Sequence, residues 1–293
     1  MLTAEPPCFS ESRAVPPTWD KVRPNLNNGE AGRRMAEAVF AGDLATVEQL
    51  ARQDTRLLST AAVRPEGAPH RAGTQGNLLT FAVGSCNPEM LGLLLELGVD
   101  PNGAFGGDTL ALALVTNDLV PAEMLFQAGA APDGPDGSGK PVFETLMFKK
   151  HDGLLLALRR GANPNLAQEF GSTPLDDALG IGDWQAAKIL VENGANPWQA
   201  ANKGALPASL FYHQGTNDPA SEAIRLELVE KAKRPGLPWP PPTVRETQDK
   251  IASGEWPTPA MEQAGFVVTP EARRSVEMVA SHRVPQPPAD QAS

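Results

Sequence analysis

Short apolar stretches alternate along this chain with breaks rich in glycine and proline. Within the stretches, apolar residues recur three or four positions apart, as Val47 and Leu50 do, which places them on one face of a helix. Gly accounts for 27 and Pro for 29 of the 293 residues, and only 5% of residues are aromatic. The pattern therefore predicts short helices joined by Gly/Pro loops, without a large aromatic core.

One phrase of sequence is written four times. The copies are Leu-Glu-Leu-Gly98-Val-Asp-Pro-Asn, Phe-Gln-Ala-Gly129-Ala-Ala-Pro-Asp, Leu-Arg-Arg-Gly161-Ala-Asn-Pro-Asn and Val-Glu-Asn-Gly194-Ala-Asn-Pro-Trp. Nineteen residues before each glycine stands an apolar register residue, and a small residue follows three positions later: Leu79 and Ala82, Leu110 and Ala113, Val142 and Thr145, Leu175 and Ala178. Because two landmarks keep one register, the pattern predicts structural repeats.

The fourth copy carries a more specific signature. Gly171-Ser-Thr-Pro-Leu-Asp-Asp-Ala178 resembles the ankyrin motif Thr-Pro-Leu-His-x-Ala, with Asp176 in place of the histidine. Gly182-Asp183 and Gly194-Ala195 are similar to the ends of the two helices of an ankyrin repeat. The Thr-Pro pair suits a helix start, and the closing glycine suits a helix end. The resemblance implies an all-α ankyrin-repeat solenoid over residues 30–235, about 70% of the chain.

The register predicts about six helix-turn-helix units, of which the first and last are degenerate. Their expected bounds are 30–60, 74–105, 106–137, 138–170, 171–203 and 204–235, with a loop insertion around 63–75. Residues 1–29 are expected to form an irregular tail, disordered or loosely docked. Residues 236–293 read as a Pro-rich linker, three short helices (243–253, 259–265 and 270–281) and a frayed tail. This helical C-terminal extension has few apolar residues and is expected to pack on the last unit.

The resemblance implies a partner-binding surface made by the tips of the finger loops, which precede each first helix, and by the outer face of the first helices. Apolar residues recur at these positions, and the predicted binding residues are Phe105, Val115, Met147, Phe148, Phe170, Ile181 and Trp198. Exposed apolar clusters of this kind mark interfaces. Alternatively, Phe105, Phe148 and Phe170 pack on neighbouring loops or lie under residues 236–293, and such self-capping is the strongest competitor.

Charge and cysteine content narrow the partners and the compartment. The net charge is −10 and no basic stripe is present, so neither nucleic acid nor an anionic membrane is an expected partner, and a basic protein is favoured. Cys8 and Cys86 are expected to be unpaired thiols in a reducing compartment. No apolar run has the length of a signal peptide or a membrane span, so a cytoplasmic protein is predicted.

The residues that could carry catalysis do not form a convincing set. Gly134–Pro141 has the glycine and lysine spacing of a phosphate-binding P-loop, but Pro141 replaces the Ser or Thr that would hold magnesium. The four histidines (His70, His151, His213 and His282) are too far apart in a linear stack to meet, and Asp176-Asp177 suits a helix start. We therefore expect no cofactor, no metal and no enzymatic activity.

The predicted function is recognition of another protein along the concave face of the stack. Two alternatives remain at this point. The chain could be an immunity or inhibitor protein against a bacterial toxin, since an acidic solenoid suits a basic toxin, or an effector that acts on host proteins. It could also be a substrate adaptor for an activity in residues 236–293.

Overall fold

A computed structural model describes residues 7–11, 14–63, 75–168 and 171–282. These residues are mostly helical, which confirms the all-α class. The helices are α1 Trp19–Val22, α2 Gly29–Ala41, α3 Leu44–Gln53, α4 Leu78–Gly84, α5 Pro88–Glu96, α6 Gly106–Leu114, α7 Val120–Gln127, α8 Lys140–Met147, α9 His151–Arg159, α10 Pro174–Gly180, α11 Trp184–Glu192, α12 Pro207–His213, α13 Pro219–Ala232, α14 Val244–Ala252, α15 Pro259–Gln263 and α16 Pro270–Ser281. None of the described helices is long and apolar enough to cross a membrane.

Two short strand pairs accompany the helices. Strand β1 (Ala61–Ala62) pairs antiparallel with β2 (Gly76–Asn77), and the predicted insertion between them lies almost wholly outside the described residues. Strand β3 (Gln199–Ala200) pairs in parallel with β4 (Val267–Val268). Each strand contributes two residues, so the pairs act as local clasps between loops and do not form a sheet core.

The chain forms two compact units, Met1–Asn163 and Pro164–Ser293, here called the N-terminal unit and the C-terminal unit. In both units consecutive helices pack as pairs: α2 with α3, α4 with α5, α6 with α7 and α8 with α9 in the first, α10 with α11 and α12 with α13 in the second. The first helices α2, α4, α6 and α8 also pack side by side within the N-terminal unit. All four full sequence copies therefore form a helix pair.

Local chemistry explains where these helices begin and end. The side chains of Asp43, Asn87 and Asp183 each accept a hydrogen bond from the amide three residues later, at the starts of α3, α5 and α11. Thr173 caps α10 in the same way and is followed by Pro174, as the sequence predicts. After each second helix the four marker glycines have φ between +89° and +99°. Only glycine adopts this backbone freely, so the chain turns at the same point in every copy.

The two sequence landmarks face the interior. The register residues Leu79, Leu110, Val142 and Leu175 are at most 1% exposed, and the small residues Ala82, Ala113, Thr145 and Ala178 are equally buried. A small residue three positions after a large one lets neighbouring first helices approach closely. The repeated pattern is therefore the pattern of the core.

An asparagine joins successive loops by a repeated pair of hydrogen bonds. Asn102 Nδ2 donates to the Gly129 carbonyl over 2.8 Å, and Asn102 Oδ1 accepts from the Ala131 amide over 2.7 Å. In the C-terminal unit Asn165 makes the same two bonds, to the Gly194 carbonyl (2.9 Å) and from the Asn196 amide (2.7 Å). Both bonds satisfy backbone groups that the helix end leaves free.

The segment after residue 235 is part of the C-terminal unit. Helices α14, α15 and α16 match the three short helices that the sequence predicts. Helices α14 and α16 pack on the 3-10 turn Asn202–Gly204, just before α12. Phe266, at 1% exposure, is buried in this unit next to Trp198.

The described residues before position 29 are docked more firmly than predicted. Cys8 and Cys86 form a disulfide, so the prediction of two unpaired thiols is wrong. Phe9 and Val22 are fully buried, and the Trp19 ring contacts Phe40, which stacks on Phe81. The disulfide also removes the reason for predicting a reducing compartment, because such bonds persist mainly in oxidising ones.

Candidate binding face

The candidate face lies at the carboxyl ends of the first helices of the N-terminal unit. We number positions from the register residue of each copy. Position +5 is Gly84 in α4, Val115 directly after α6 and Met147 in α8; position +7 is Cys86, Asn117 and Lys149. Because α4, α6 and α8 lie side by side, equivalent positions form rows across the three helices. Row +5 contains two of the residues on which a ligand was predicted, Val115 and Met147, and row +7 lies beside it.

The chain's own N-terminal segment occupies this face. We call its described residues 7–11 and 14–18 the N-terminal strap; residues 14–18 form no helix or strand. At row +7 Cys86 holds the strap through its disulfide to Cys8. Asn117 holds the next turn: its backbone amide donates to the Cys8 carbonyl (2.8 Å), its Nδ2 donates to the Pro7 carbonyl (2.9 Å), and its Oδ1 accepts from the Glu11 amide (3.1 Å).

At row +5 the strap crosses a glycine. A Cβ atom on Gly84 would lie 2.8 Å from the Pro17 ring, closer than any real contact. Glycine at this position therefore leaves the space that the strap occupies, whereas the equivalent positions carry Val115 and Met147. Ala14, Val15 and Pro17 also line a cavity of about 200 Å³. The other residues that line it include Leu112, Val115, Lys140, Glu144 and Phe148.

Two of the residues predicted to face a partner are buried. Val115 is 1% exposed and lines the same cavity as the strap residues Ala14, Val15 and Pro17. Trp198 is fully buried, and its indole N–H donates to the Ala232 carbonyl over 2.7 Å. The expectation of solvent exposure is wrong for both, and Trp198 also contacts Phe266 from the segment after residue 235.

The other predicted residues have different surroundings. Met147 (54% exposed) and Ile181 (41% exposed) reach solvent, each in its own unit. Phe105 and Phe148 are half-buried, and Phe148 lines the cavity beside the strap. Phe170 lies outside the described residues. The part of the face that remains open in the N-terminal unit is therefore centred on Met147 and Phe148, at the end of α8.

Sequence reasoning missed the residues that hold the strap: Cys8, Gly84, Cys86 and Asn117. The sequence contained one indication of this role, in the residue types at position +7. Position +7, counted from Met35, is Gly42 in the degenerate first unit, and it is Gly182 in the fourth full copy, whereas the first full copy has Cys86. All three have a left-handed backbone, with φ of +73°, +69° and +55°, a conformation that is uncommon for residues other than glycine. A cysteine in place of glycine at such a position indicates a role for its side chain.

The charged groups around the cavity form a small mixed cluster. Lys140 makes an ion pair with Asp108 from the neighbouring first helix. Burial raises the pKa of Glu144; Lys140 opposes this rise and Asp108 adds to it. Lys140 is also the lysine of the P-loop-like stretch Gly134–Pro141, so the ammonium group of that stretch is paired with the Asp108 carboxylate. The stretch before it contains the left-handed glycines Gly134, Gly137 and Gly139.

A second buried acid group lies at the start of α10. The Ser172 hydroxyl contacts both carboxylates there, at 3.2 Å from Asp176 Oδ2 and 2.6 Å from Asp177 Oδ1. Burial raises the pKa of Asp176 to about 6, a rise that the Ser172 hydroxyl opposes and Asp177 increases. Burial also raises the pKa of Asp177, whose Oδ2 atom has no hydrogen-bond partner. Within the described ranges no three His, Cys, Asp or Glu side chains cluster closely enough to hold a metal ion.

Comparison with known proteins gives one informative similarity. No family model matches the sequence. The chain is similar to Protein PhlB of Serratia liquefaciens, with 29% identity over 143 residues. The aligned part is 47% of this chain and 63% of PhlB, so the chain spans less than two thirds of that relative.

Proposed function

We propose that this chain is an ankyrin-like repeat protein that holds a peptide segment of another protein on the first helices of its N-terminal unit. The family assignment is supported by the shared register, the capped helix pairs and the asparagine bonds between loops. The binding role is supported by one observation above all: a peptide segment of irregular backbone, the strap, lies across this very face. A surface that accommodates its own chain in this way has the shape and hydrogen-bonding groups for a similar segment of a partner.

The strap indicates the chemistry of such a segment. It places the fully buried Phe9 and the prolines at 16 and 17 against the helices, and it offers backbone groups to Asn117. A partner segment with an aromatic anchor and prolines would make equivalent contacts. Anchors of this type contribute most of the free energy in peptide recognition.

The acidic character of the chain favours a basic partner. With a net charge of −10, long-range attraction speeds the encounter with a positively charged protein. Inhibition of a basic toxin is therefore the second candidate function. Association that weakens steeply between low and physiological salt would support it, and salt-independent association would contradict it.

Site-specific photo-crosslinking tests the binding role. We expect a photoreactive residue at Met147 to capture a partner in cells of the source organism, because this exposed side chain lies at the open edge of the face. The matched control is Val120, an equally exposed apolar side chain (53%) at the start of α7. Met147→Glu should abolish association with the captured protein, and Val120→Glu should leave it unchanged. Equal capture at both positions, or none at Met147, would contradict the assignment.

A further inference from the structure

The strap covers the face on which we propose that a partner binds, so the two compete for one surface. We infer that the Cys8–Cys86 disulfide is a redox latch. When the disulfide is formed, the strap is held as an internal ligand on the face at the carboxyl ends of α4, α6 and α8, here called the groove. When the disulfide is reduced, the strap can leave and the groove opens. The inference rests on the proposed function for the identity of the groove, and on the strap's own contacts for the latch.

The attachment points divide into one covalent bond and several non-covalent contacts. Apart from the disulfide, residues 7–11 are held by the buried Phe9 ring and by hydrogen bonds to Asn117 that are open to water. Hydrogen bonds at an exposed site contribute little net free energy, because water replaces them. The disulfide is the covalent link between Cys8 and Cys86, so its reduction leaves residues 7–11 held by the Phe9 ring and by these hydrogen bonds.

The cysteine position itself favours a latch. Cys86 has φ of +55° at the position where two other units have glycine and where Lys149 has a similar φ of +53°, so a side chain is present there at a conformational cost. Asn117 occupies the same position in the next copy and holds the same stretch of strap. Adjacent copies thus supply the covalent and the hydrogen-bonding halves of one attachment site.

The chemistry needs only a dithiol reductant. A reductant thiolate attacks one sulfur, Cys8 Sγ or Cys86 Sγ, and the other sulfur leaves as a thiolate that is then protonated. The second thiol of the reductant resolves the mixed disulfide. Two electrons and two protons pass to the cysteines, and the reductant ends as its own disulfide. Both cysteines are half-buried, so neither is sealed from a small reductant.

Two backbone amides report directly on the strap. The Asn117 amide donates to the Cys8 carbonyl, and the Glu11 amide donates to Asn117 Oδ1. Hydrogen exchange of both amides is measured in the oxidised 293-residue chain, in the same chain with dithiothreitol, and in Cys8→Ser. We expect exchange at least tenfold faster in the last two. The amide of Leu91, bonded to the Asn87 carbonyl inside the core, is the internal control and should not change.

The outcomes separate a latch from a structural bond. If Asn117 and Glu11 stay protected after reduction, the disulfide does not control the strap and the inference is wrong. If Leu91 loses protection at the same rate, the disulfide holds the whole unit and not the strap, which overturns the inference equally. A second variant, Gly84→Leu, removes the seat of Pro17 without touching either cysteine. Reduced Gly84→Leu should exchange at least as fast as the reduced wild-type protein.

A separate experiment tests whether the groove binds a peptide when the disulfide is absent. In the Cys8→Ser/Phe9→Glu variant of the 293-residue chain, a buried charge keeps the internal strap out of the groove. A labelled synthetic peptide with the sequence of residues 7–19, with serine at position 8, should then bind saturably, and adding Gly84→Leu should reduce that binding at least tenfold. Absence of binding would count against the proposed function while the exchange result for the latch still stands.

Discussion

The N-terminal strap and residues 236–282 each pack on the helices of their own unit, but they are attached in different ways. In the N-terminal unit the strap is fixed by a disulfide and by Asn117, and a cavity of about 200 Å³ remains between it and the helices. In the C-terminal unit residues 236–282 are fixed by a strand pair and by an aromatic cluster in which Trp198, Phe266 and Trp256 touch. The first cover is attached at a few points, whereas the second is part of a packed core.

The hydrogen bonds between loops show how residues 236–282 continue the repeated pattern of the C-terminal unit. Asn196 Nδ2 donates to the Gly265 carbonyl over 2.8 Å, just as Asn102 donates to Gly129 and Asn165 to Gly194. Gly265 has the same left-handed backbone, with φ of +96°. Residues 264–266 therefore take the place of the next marker glycine, although the sequence spacing has been lost. A segment that supplies the missing neighbour of a stack acts as its cap.

The largest expected effect is on the packed cover. Trp198→Ala should lower the free energy of unfolding by about 3–5 kcal/mol, because it removes a fully buried ring and leaves the Ala232 carbonyl without its donor. Trp239, which is 37% exposed, is the matched control, and its replacement by alanine should cost less than half as much. Chemical denaturation measures both. Equal losses would mean that the C-terminal cover is no better packed than the surface.

A smaller effect should show whether Gly265 is equivalent to a marker glycine. Asn102→Ala and Asn196→Ala each remove a side chain that bonds to the next loop, and each should cost about 0.5–1.5 kcal/mol. Asn102→Asp should cost less than Asn102→Ala, because the carboxylate still accepts from the Ala131 amide, as Asp133 accepts from Asn163. A negligible loss for Asn196→Ala alone would separate the Gly265 contact from the repeated bonds.

The third effect depends on pH. The pKa of Asp176 is raised from 3.8 to about 6, so the folded state favours its protonated form. The stabilisation is complete below about 3.8 and is lost as the pH rises through about 6. Asp176→Asn should therefore stabilise the protein by about 1–3 kcal/mol at pH 8 and leave it unchanged at pH 3.5. Denaturation at the two pH values measures the difference.

The N-terminal unit provides the control for this pH effect. Glu144 is also a partly buried acid, but Lys140 lowers its pKa while burial raises it. Glu144→Gln should thus give a smaller gain at pH 8 than Asp176→Asn. A larger gain would show that Lys140, bound to Asp108, does not offset the burial of Glu144.

Much of the fold could be predicted because its signals are local. Thr173-Pro174 and the marker glycines act within one helical turn, so their chemistry can be read without knowing any distant neighbour. The candidate site was predicted less well. Met147 reaches solvent as expected, but Val115 is buried, in the lining of a cavity that it shares with residues near position 15. No periodic pattern links those two stretches.

The sequence by itself determined the helical class, the register and the residues of the core, since each depends on spacing along one or two helices. Only the tertiary structure decided that Cys8 meets Cys86, that the strap lies over Gly84, and that Gly265 stands in for a repeat glycine. These contacts join residues 78, 67 and 69 positions apart, as Cys8 with Cys86, Pro17 with Gly84 and Asn196 with Gly265. Pairing at such distances is set by how the whole chain packs, and the order of residues does not encode it locally.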